Sequence, residues 1–298
     1  MKIVITSNVG PEHEYLWRKI MESGHDVFIF AQTHLKPIAA IKTPFVSKIK
    51  RRIKFLKTLI ENPHFAIEKK RAERGLYRFY LAALNSYFPA NPNLLENLKQ
   101  TGKYFEFENI NSVQAVEKIT DIRPDLIVVH GGKILKSEFF GASRFGTIHL
   151  HGGIVPWYRG GNTWFPNIIN NDFHYIGPTV QEIDAGIDTG NVIHQHTIVL
   201  DKNDTPWTIY CKTVIVGVEI LLACIALIAA TRSKITSTPI AAKGFNYLKG
   251  KRIKSYEPII VYSTFKERIA NHLISPLTFI PSLVQQKELM INHSFIKY

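Results

Sequence analysis

Cysteine is scarce in this sequence, with only Cys211 and Cys224 among 298 residues. Both lie in an apolar stretch, so the sequence offers neither a disulfide framework nor a four-ligand zinc site. The opening MKIVITSN lacks the charged and then apolar layout of a signal peptide, and a reducing cytoplasm is the expected compartment. With 45% hydrophobic and 20% charged residues, the composition is that of a folded globular protein and excludes a disordered one.

Long hydrophobic runs are almost absent as well. The exception is VIVGVEILLACIALIAA, residues 214–230, which is seventeen residues long and contains Glu219. It is slightly short for a membrane span, and a carboxylate is costly in hydrocarbon. The run therefore predicts a buried helix and no membrane span.

Acidic residues are too few to balance the basic ones, and the net charge of +13 is unevenly spread. Between Lys48 and Arg78, eleven basic residues face three glutamates, which accounts for eight of those charges. The stretch KGFNYLKGKRIK adds five basic residues and no acid. Such patches attract the phosphates of RNA, nucleotide-linked sugars or anionic lipid, as well as polyglutamylated cofactors. A solvated basic face explains the charge equally well.

The apolar patterning predicts an α/β fold. KIVITSN reads as a buried strand, the residues after it repeat at helical spacing, and VFIF reads as a second strand. This βαβ opening predicts a parallel sheet. Strand and helix patterns alternate again from YFEFENINS, through VQAVEKITDI and RPDLIVVHGG, to WFPNIINNDF, GPTVQEID and NVIHQHTIVL.

The alternation is interrupted by a basic helical insertion at about 33–100. Its apolar positions fit one face of an amphipathic helix: Phe45, Ile49, Ile53, Leu56 and Ile60. Pro63 and Gly75 are expected to divide the rest of the insertion, which would act as a lid or docking surface. The tail from about Lys243 has no clear periodicity. We therefore expect a catalytic domain over 1–235 and a small C-terminal extension over 236–298.

The most informative stretch is GTIHLHGGIVPWYRGG, residues 146–161. Alternate side chains of a strand share a face, so His149 and His151 point the same way. They could form a metal clip, a catalytic pair or two core histidines. Downstream, EIDAGIDTGNVI supplies Asp184 and Asp188. A carboxylate beside a histidine orients it and raises its pKa, which makes an acid/base pair. Asp188 between glycines is equally an ordinary turn residue.

Jointly these motifs resemble the folate-dependent formyltransferase family. That family has an Asn two residues before a His, a Pro five residues after it, a Tyr-Arg-Gly, and a downstream Asp-x-Gly-x-Asp-Thr-Gly. The matching residues here are His151, Pro156, Tyr158, Arg159, Gly160, Asp184, Gly186, Asp188, Thr189 and Gly190. The likeness covers about residues 103–230, and it implies a Rossmann-like core with a parallel or mixed sheet.

The resemblance also implies roles. His151 would stabilise the tetrahedral intermediate and move protons, and Asp188 would orient it and help to deprotonate the incoming amine. The donor would be 10-formyltetrahydrofolate. The implied donor-binding residues are His130, Gly131, Gly132, Asp184 and Gly186. The implied acceptor-binding residues are Tyr158, Arg159, Gly160, Asn162 and Thr163.

The departure from the family is His149, which stands where the family has its Asn. Losing an oxyanion donor typically costs roughly 100- to 1000-fold in rate, although an imidazole N–H can also donate. His149 is therefore a surrogate donor and a third catalytic residue, a mark of an altered site, or a metal ligand beside His151 and Asp188.

The expected function is N-formylation of a small-molecule amine, phosphorylated or nucleotide-linked as in an amino-sugar nucleotide. No metal is expected, nucleic acid is the less favoured partner, and a homodimer is compatible with the sequence. Three alternatives stay open: a methionyl-tRNA formyltransferase, favoured by the basic charge; a silent folate- or nucleotide-binding member, favoured by His149; and a metal-dependent hydrolase.

Overall fold

The computed structural model describes residues 1–32, 53, 56–161, 163–240, 245–247 and 257–274. Two positions of the predicted amphipathic helix, Phe45 and Ile49, lie outside the described residues. The same holds for Asn162 and for most of the second basic stretch.

The predicted βαβ opening is confirmed. Strand β1 (Lys2–Ser7) pairs in parallel with β2 (Asp26–Gln32), and α1 (Pro11–Glu22) crosses between them. Helix α1 has proline at its first position, where the missing N–H costs no helical hydrogen bond. The helix buries an apolar stripe made of Leu16, Trp17 and Ile20. Trp17 also donates from Nε1 to Ser7 Oγ at 2.8 Å, which ties the helix to the end of β1.

Five further strands join β1 and β2 in the main sheet. They are β3 (Tyr104–Phe107), β4 (Leu126–His130), β5 (Thr147–His151), β7 (Thr179–Glu182) and β8 (Val192–Gln195). The seven strands lie in the order β3-β2-β1-β4-β5-β7-β8. Strands β1 to β5 are parallel, and β7 is antiparallel to both of its neighbours. The predicted Rossmann-like mixed sheet is thus confirmed. The chain direction across the sheet reverses between β1 and β4, and ligands of such sheets bind at that crevice.

Helices cover the sheet. They are α2 (Pro63–Tyr87), α3 (Leu94–Gln100), α4 (Val113–Ile122), α5 (Ser137–Phe140), α6 (Trp164–Asn170), α7 (Pro206–Thr231) and α8 (Glu257–Ile274). Helix α7 contains the apolar run, and twelve of its residues are buried. Its length and composition alone would allow a membrane span, but half of its most apolar stretch is buried inside the protein. A buried core helix, as predicted, accounts for it.

Helix α2 corrects one expectation. Gly75 does not divide the helix, because it lies inside α2, which is continuous over its 25 residues. The aromatic ring of Tyr262, on α8, occupies the space where a side chain at position 75 would stand, with Cε2 only 1.9 Å from an ideal Cβ. Gly75 is therefore a close-packing position between two helices. Pro63, in contrast, does mark a helix start, where Asn62 Oδ1 accepts from the Phe65 N–H.

Three shorter elements also differ from the sequence expectation. The predicted strand NVIHQHTIVL ends at Gln195, so β8 has only four residues. The tail without periodicity contains the 18-residue helix α8, which packs on α2 and α6. The Tyr-Arg-Gly segment forms a short strand, β6 (Tyr158–Gly160), which pairs with β9 (Phe245–Tyr247). Helix α8 and strand β6 depend on partners far away in the chain, which local pattern does not report.

The packing of α2 on α8 gives a first prediction. Gly75→Ala is expected to lower the free energy of unfolding by roughly 1–3 kcal/mol, because the methyl group overlaps the Tyr262 ring. In a Tyr262→Ala background the same change should be neutral or stabilising by up to about 1 kcal/mol, as for alanine in an ordinary helix. Urea unfolding of the four proteins measures both values. An equal loss in both backgrounds would contradict the assigned contact.

Candidate functional site

The two histidines of β5 meet one carboxylate at the carboxyl end of that strand. His149 Nδ1 lies 3.3 Å from Asp188 Oδ1, and His151 Nδ1 lies 3.6 Å from Asp188 Oδ2. The side chains of His151 and Asp188 are 5% and 8% exposed, whereas that of His149 is 18% exposed. His149 is therefore the imidazole of this group that is most open to solvent.

Asp188 is held by a tight loop between β7 and β8. Its backbone φ of 51° lies in the left-handed region, which a non-glycine residue adopts only when its surroundings require it. Asp184 braces the loop, because its Oδ1 accepts from the Gly186 N–H at 2.9 Å and from Thr189 Oγ1 at 2.7 Å. A side chain at position 186 would meet Thr189 Oγ1 at 1.9 Å. Asp184 and Gly186 thus shape the loop that presents Asp188.

The Tyr-Arg-Gly segment closes the site from the other side. The Gly160 N–H donates to Asp188 Oδ2 at 2.7 Å, and His151 Nε2 lies 2.8 Å from the carbonyl oxygen of Tyr158. Since a carbonyl only accepts, Nε2 of His151 carries a hydrogen. The nearby Arg159 has a buried Nε without a hydrogen-bond partner among the described residues.

Electrostatics keep this carboxylate charged. Burial alone would raise the pKa of Asp188, but the imidazole of His151, then that of His149 and the Gly160 N–H outweigh it. The pKa of Asp188 consequently lies well below its usual range. Burial lowers the pKa of His151, although the Asp188 carboxylate partly opposes the shift. A charged carboxylate thus lies beside a largely neutral imidazole, which is the arrangement of a proton acceptor.

Gln181, which the sequence motifs do not single out, completes the group. It lies on β7 directly opposite His149 in the strand register and is 1% exposed. Its Nε2 donates to Asp188 Oδ1 at 3.2 Å and lies 3.5 Å from His149 Nδ1. The only signal in the sequence is its place in a strand pattern, which does not reveal a cross-strand partner.

A second group of polar residues lies where β1 and β4 end, at the crevice. His130 Nδ1 is 3.2 Å from the carbonyl oxygen of Leu150, and its ring centroid is 4.8 Å from that of His13 on α1. Gly131 and Gly132 come next with φ of 72° and 94°. Burial lowers the pKa of His13 to about 4, and burial together with His13 lowers the pKa of His130 to about 3.

These two histidines predict acid sensitivity. Because the folded-state pKa of His13 lies below its ordinary 6.5, the unfolded chain binds more protons between about pH 6.5 and 4. The stabilisation is complete above pH 6.5 and is lost as the pH falls to about 4, by about 3 kcal/mol in all for His13, of which about 2 kcal/mol is lost by pH 5. Urea unfolding at pH 7 and pH 5 should show the loss, and His13→Gln should reduce it. The exposed His64 on α2 gives the matched control, His64→Gln. An unchanged pH dependence in His13→Gln would rule out this origin.

Comparison with known proteins identifies the family. Residues 83–225 match the family described as Formyl transferase, and this range contains the two histidines, Gln181 and Asp188. This match supports the formyltransferase superfamily for the chain. Methionyl-tRNA formyltransferase of Ralstonia pickettii is 31% identical over 152 residues, 51% of this chain and 45% of that protein. That of Lactiplantibacillus plantarum is 32% identical over 136 residues, 45% and 42% of the two chains. The chain thus spans about half the length of these curated relatives.

Solved formyltransferases share the fold. WlaRD, a sugar 3N-formyltransferase solved with dTDP and 5-N-formyl-THF, matches with a TM-score of 0.54 and 17% identity. The match covers 90% of this chain and 80% of that one. A sugar N-formyltransferase from Shewanella sp. matches with a TM-score of 0.52 and 15% identity, covering 88% and 87%. At these identities the likeness concerns the fold.

The structure places the site residues that were selected from the sequence in different parts of the molecule. The structure brings His149, His151 and Asp188 together, with the Gly160 N–H as a fourth partner. Thr163 is 2% exposed and donates to the Gly152 carbonyl at 2.8 Å, which is a bracing contact. Asp184 and Gly186 form the loop and His130 the crevice, and Asn162 lies outside the described residues.

The same three residues are also a candidate metal set, since their ligand atoms all lie within 4.8 Å of one another. A tetrahedral zinc ion with bonds of about 2.0–2.1 Å requires ligand atoms roughly 3.4 Å apart, so the set would have to contract. Both oxygens of Asp188 already accept N–H groups, from Gln181 and from Gly160. A metal ion would therefore have to use the second lone pair of an Asp188 oxygen or displace one of these N–H groups.

Proposed function

We propose that this chain is an N-formyltransferase that moves a formyl group from 10-formyltetrahydrofolate to the amine of a small molecule, with an amino-sugar nucleotide as the favoured acceptor. The observation that carries the proposal is the convergence of two imidazoles on one charged carboxylate at the carboxyl end of β5. It gives one site both a hydrogen-bond donor for an oxyanion and a base for an ammonium proton.

Each residue has a chemical task in this proposal. The donor supplies an activated formyl carbon, whose oxygen becomes negative when the amine nitrogen bonds to it. His149, the most open imidazole, donates an N–H to that oxygen. The amine then gives up a proton to the pair formed by the charged Asp188 carboxylate and the neutral His151 imidazole. As the bond from the formyl carbon to the folate nitrogen breaks, that nitrogen takes up a proton from the site.

His151 supports the base. Its Nε2 hydrogen is committed to the carbonyl of Tyr158, which fixes the ring and aims Nδ1 at Asp188 Oδ2. A proton taken up by Asp188 can pass to this nitrogen, giving an imidazolium held between a carboxylate and a carbonyl. This explains how a residue that is 4% exposed takes part in proton transfer without touching solvent.

The donor half of the proposal is tested by calorimetric titration with 5-formyltetrahydrofolate, a stable analogue of the donor, with and without a chelator. Micromolar binding that is indifferent to the chelator is expected. Absence of binding would overturn the proposal. A metal that co-purifies and whose removal changes the binding would instead favour the metal-dependent hydrolase.

Two acceptor classes compete. The sugar N-formyltransferase from Shewanella sp. is matched over 87% of its length, which supports a sugar amine. The curated relatives that match are methionyl-tRNA formyltransferases, and the basic residues of α2 favour that second candidate. Formylation of a set of amino-sugar nucleotides is compared with that of initiator methionyl-tRNA. Formylation of methionyl-tRNA without formylation of any amino-sugar nucleotide would show that the tRNA is the acceptor.

We also propose a division of the chain into a catalytic unit and an extension. Residues 1–235 form the catalytic unit, with the helical insertion over about 33–100 and the extension over 236–298. The predicted binding roles of His130, Gly131 and Gly132 place the folate near the crevice, and those of Tyr158, Arg159 and Gly160 place the acceptor beside β6. We propose action in the cytoplasm, with a homodimer as the assembly to be tested by light scattering.

A further inference from the structure

Helix α2 presents an exposed face on which guanidinium groups stand beside an aliphatic side chain. Arg71, Arg74 and Arg78 follow one another at spacings of three and four residues, so they lie along one face of the helix. Ile67, four residues before Arg71, extends the same face and is 60% exposed. The helix is anchored by its other side, where the buried residues are Ala66, Ala72, Leu76, Ala83 and Leu84.

The three arginines of this face are not neutralised by the protein. In the part of the chain that the structure describes, none of them forms an ion pair with a carboxylate. The three glutamates of the region pair with other residues: Glu61 with Lys57, Glu68 with His64, and Glu73 with Lys69. Guanidinium groups in this state attract an anionic partner, and their planar forks match the oxygens of a phosphate group.

Exposed apolar side chains are concentrated on the same segment. Of the eleven large apolar side chains that are exposed in the described ranges, six lie between residues 53 and 81. Five of these six are aliphatic: Ile53, Leu56, Ile60, Ile67 and Leu81. Ile67 also lines a groove together with Leu59, Lys70 and the three arginines. Clustered apolar groups of this kind mark a surface that binds a partner with an apolar part.

We propose that this basic aliphatic surface, made of Ile67, Lys70, Arg71, Arg74 and Arg78, binds reversibly to an anionic lipid bilayer. The aliphatic groups enter the boundary between headgroups and acyl chains, while the guanidinium groups stay with the lipid phosphates. Apolar burial and a polybasic patch together supply the two contributions that membrane association needs. The surface lies outside residues 83–225, which match the family, so the inference is independent of the proposed function.

Charge and chemistry disfavour the other occupants of this surface. The preceding segment, residues 33–52, has six basic residues and no acidic one, and a second copy of the chain would bring its own arginines to a contact between like faces. Both would be repelled. Nucleic acid would match the charge, but bases stack on aromatic rings, and Tyr77 is the one aromatic residue among the six exposed apolar side chains of the described segment. A lipid surface uses both the charge and the aliphatic groups.

The first test is sedimentation of the full chain with lipid vesicles. One set contains phosphatidylcholine with about a quarter of phosphatidylglycerol, and the other contains phosphatidylcholine alone. We expect binding to the anionic vesicles that weakens as the salt concentration rises, and binding to the neutral vesicles that is at least about tenfold weaker. Absence of binding to the anionic vesicles, or equal binding to both sets, overturns the proposal.

The second test locates the binding surface. The triple variant Arg71→Gln, Arg74→Gln, Arg78→Gln should bind anionic vesicles about 100-fold more weakly, since each basic residue near the surface contributes roughly fivefold. The matched control removes three exposed charges on other parts of the chain, by Arg123→Gln, Lys202→Gln and Lys234→Gln. Its binding should fall by less than about tenfold. Equal losses in the two triple variants would mean that net charge alone is responsible and would overturn the proposal.

The variant Ile67→Gln separates a bilayer from the other partners. It should weaken vesicle binding by up to about tenfold, because an aliphatic group is no longer buried in lipid, and leave Tm unchanged, because the side chain is exposed. The same proteins are titrated with single-stranded RNA. RNA binding that needs the three arginines, combined with vesicle binding that does not, would assign the surface to nucleic acid and overturn the proposal. Light scattering that shows a dimer for the wild type and a monomer for the arginine variant would overturn it in favour of self-association.

Discussion

Asp188→Asn is expected to lower kcat for formyl transfer by about 1000-fold or more. An amide carries no charge and cannot accept the proton of the attacking amine. It would also turn an NH2 group toward either the Gly160 N–H or the Gln181 amide, both of which now donate to the carboxylate. Losses of this size occur when the carboxylate of a histidine–carboxylate pair is replaced by its amide in other enzymes.

The measurement is the initial rate of transfer under saturating donor, for the wild type and the variant, together with thermal unfolding to show that both fold. Asp121→Asn provides the matched control, because Asp121 is an exposed carboxylate on α4, remote in the fold from the end of β5. A folded Asp188→Asn protein with a rate within tenfold of the wild type would show that Asp188 is an ordinary turn residue.

The second large effect concerns the position at which this chain departs from its family. His149→Ala is expected to lower kcat by roughly 100- to 1000-fold, because no N–H remains for the oxyanion. His149→Asn restores the amide that the family has there and should keep the rate within about tenfold of the wild type or raise it. The contrast between the two variants separates the loss of a donor from the loss of a particular ring.

Turnover rate and metal content are measured together for both variants at position 149, so that a lost hydrogen-bond donor can be distinguished from a lost metal ligand. If both substitutions at position 149 abolish turnover and a bound metal is lost with them, His149 is a ligand and the hydrolase alternative gains. If neither changes the rate, the oxyanion is stabilised elsewhere and His149 has no role in the chemistry. Only the split result, alanine inactive and asparagine active, agrees with the donor role.

Local pattern was sufficient for much of the fold. The βαβ opening, the buried helix α7 and the mixed α/β sheet could be predicted from apolar spacing, because each element buries a face that its own sequence displays. Helix α8 and the β6–β9 pair could not, since both depend on partners far away in the chain. The prediction that Gly75 divides a helix was wrong for the same reason, because this glycine leaves room for the ring of Tyr262 and does not end the helix.

Some residues of the site could likewise be predicted from the sequence and others could not. The motif spacing identified His149, His151 and Asp188 as candidate site residues, and in the structure their side chains lie in contact. Gln181 was missed because its importance comes from the antiparallel register of β7 against β5, which no single strand reveals. His13 was missed because a lone histidine in a helix gives no sign that another helix or strand will bury it against His130.

The most direct test of the account is a single reaction: purified wild-type protein, 10-formyltetrahydrofolate and a set of amino-sugar nucleotides, analysed by mass spectrometry. We expect a product heavier by one formyl group, formed together with an equal amount of tetrahydrofolate, and almost none with Asp188→Asn. Tetrahydrofolate released without any formylated amine, or no reaction with a protein that binds 5-formyltetrahydrofolate, would contradict transfer to this class of acceptor.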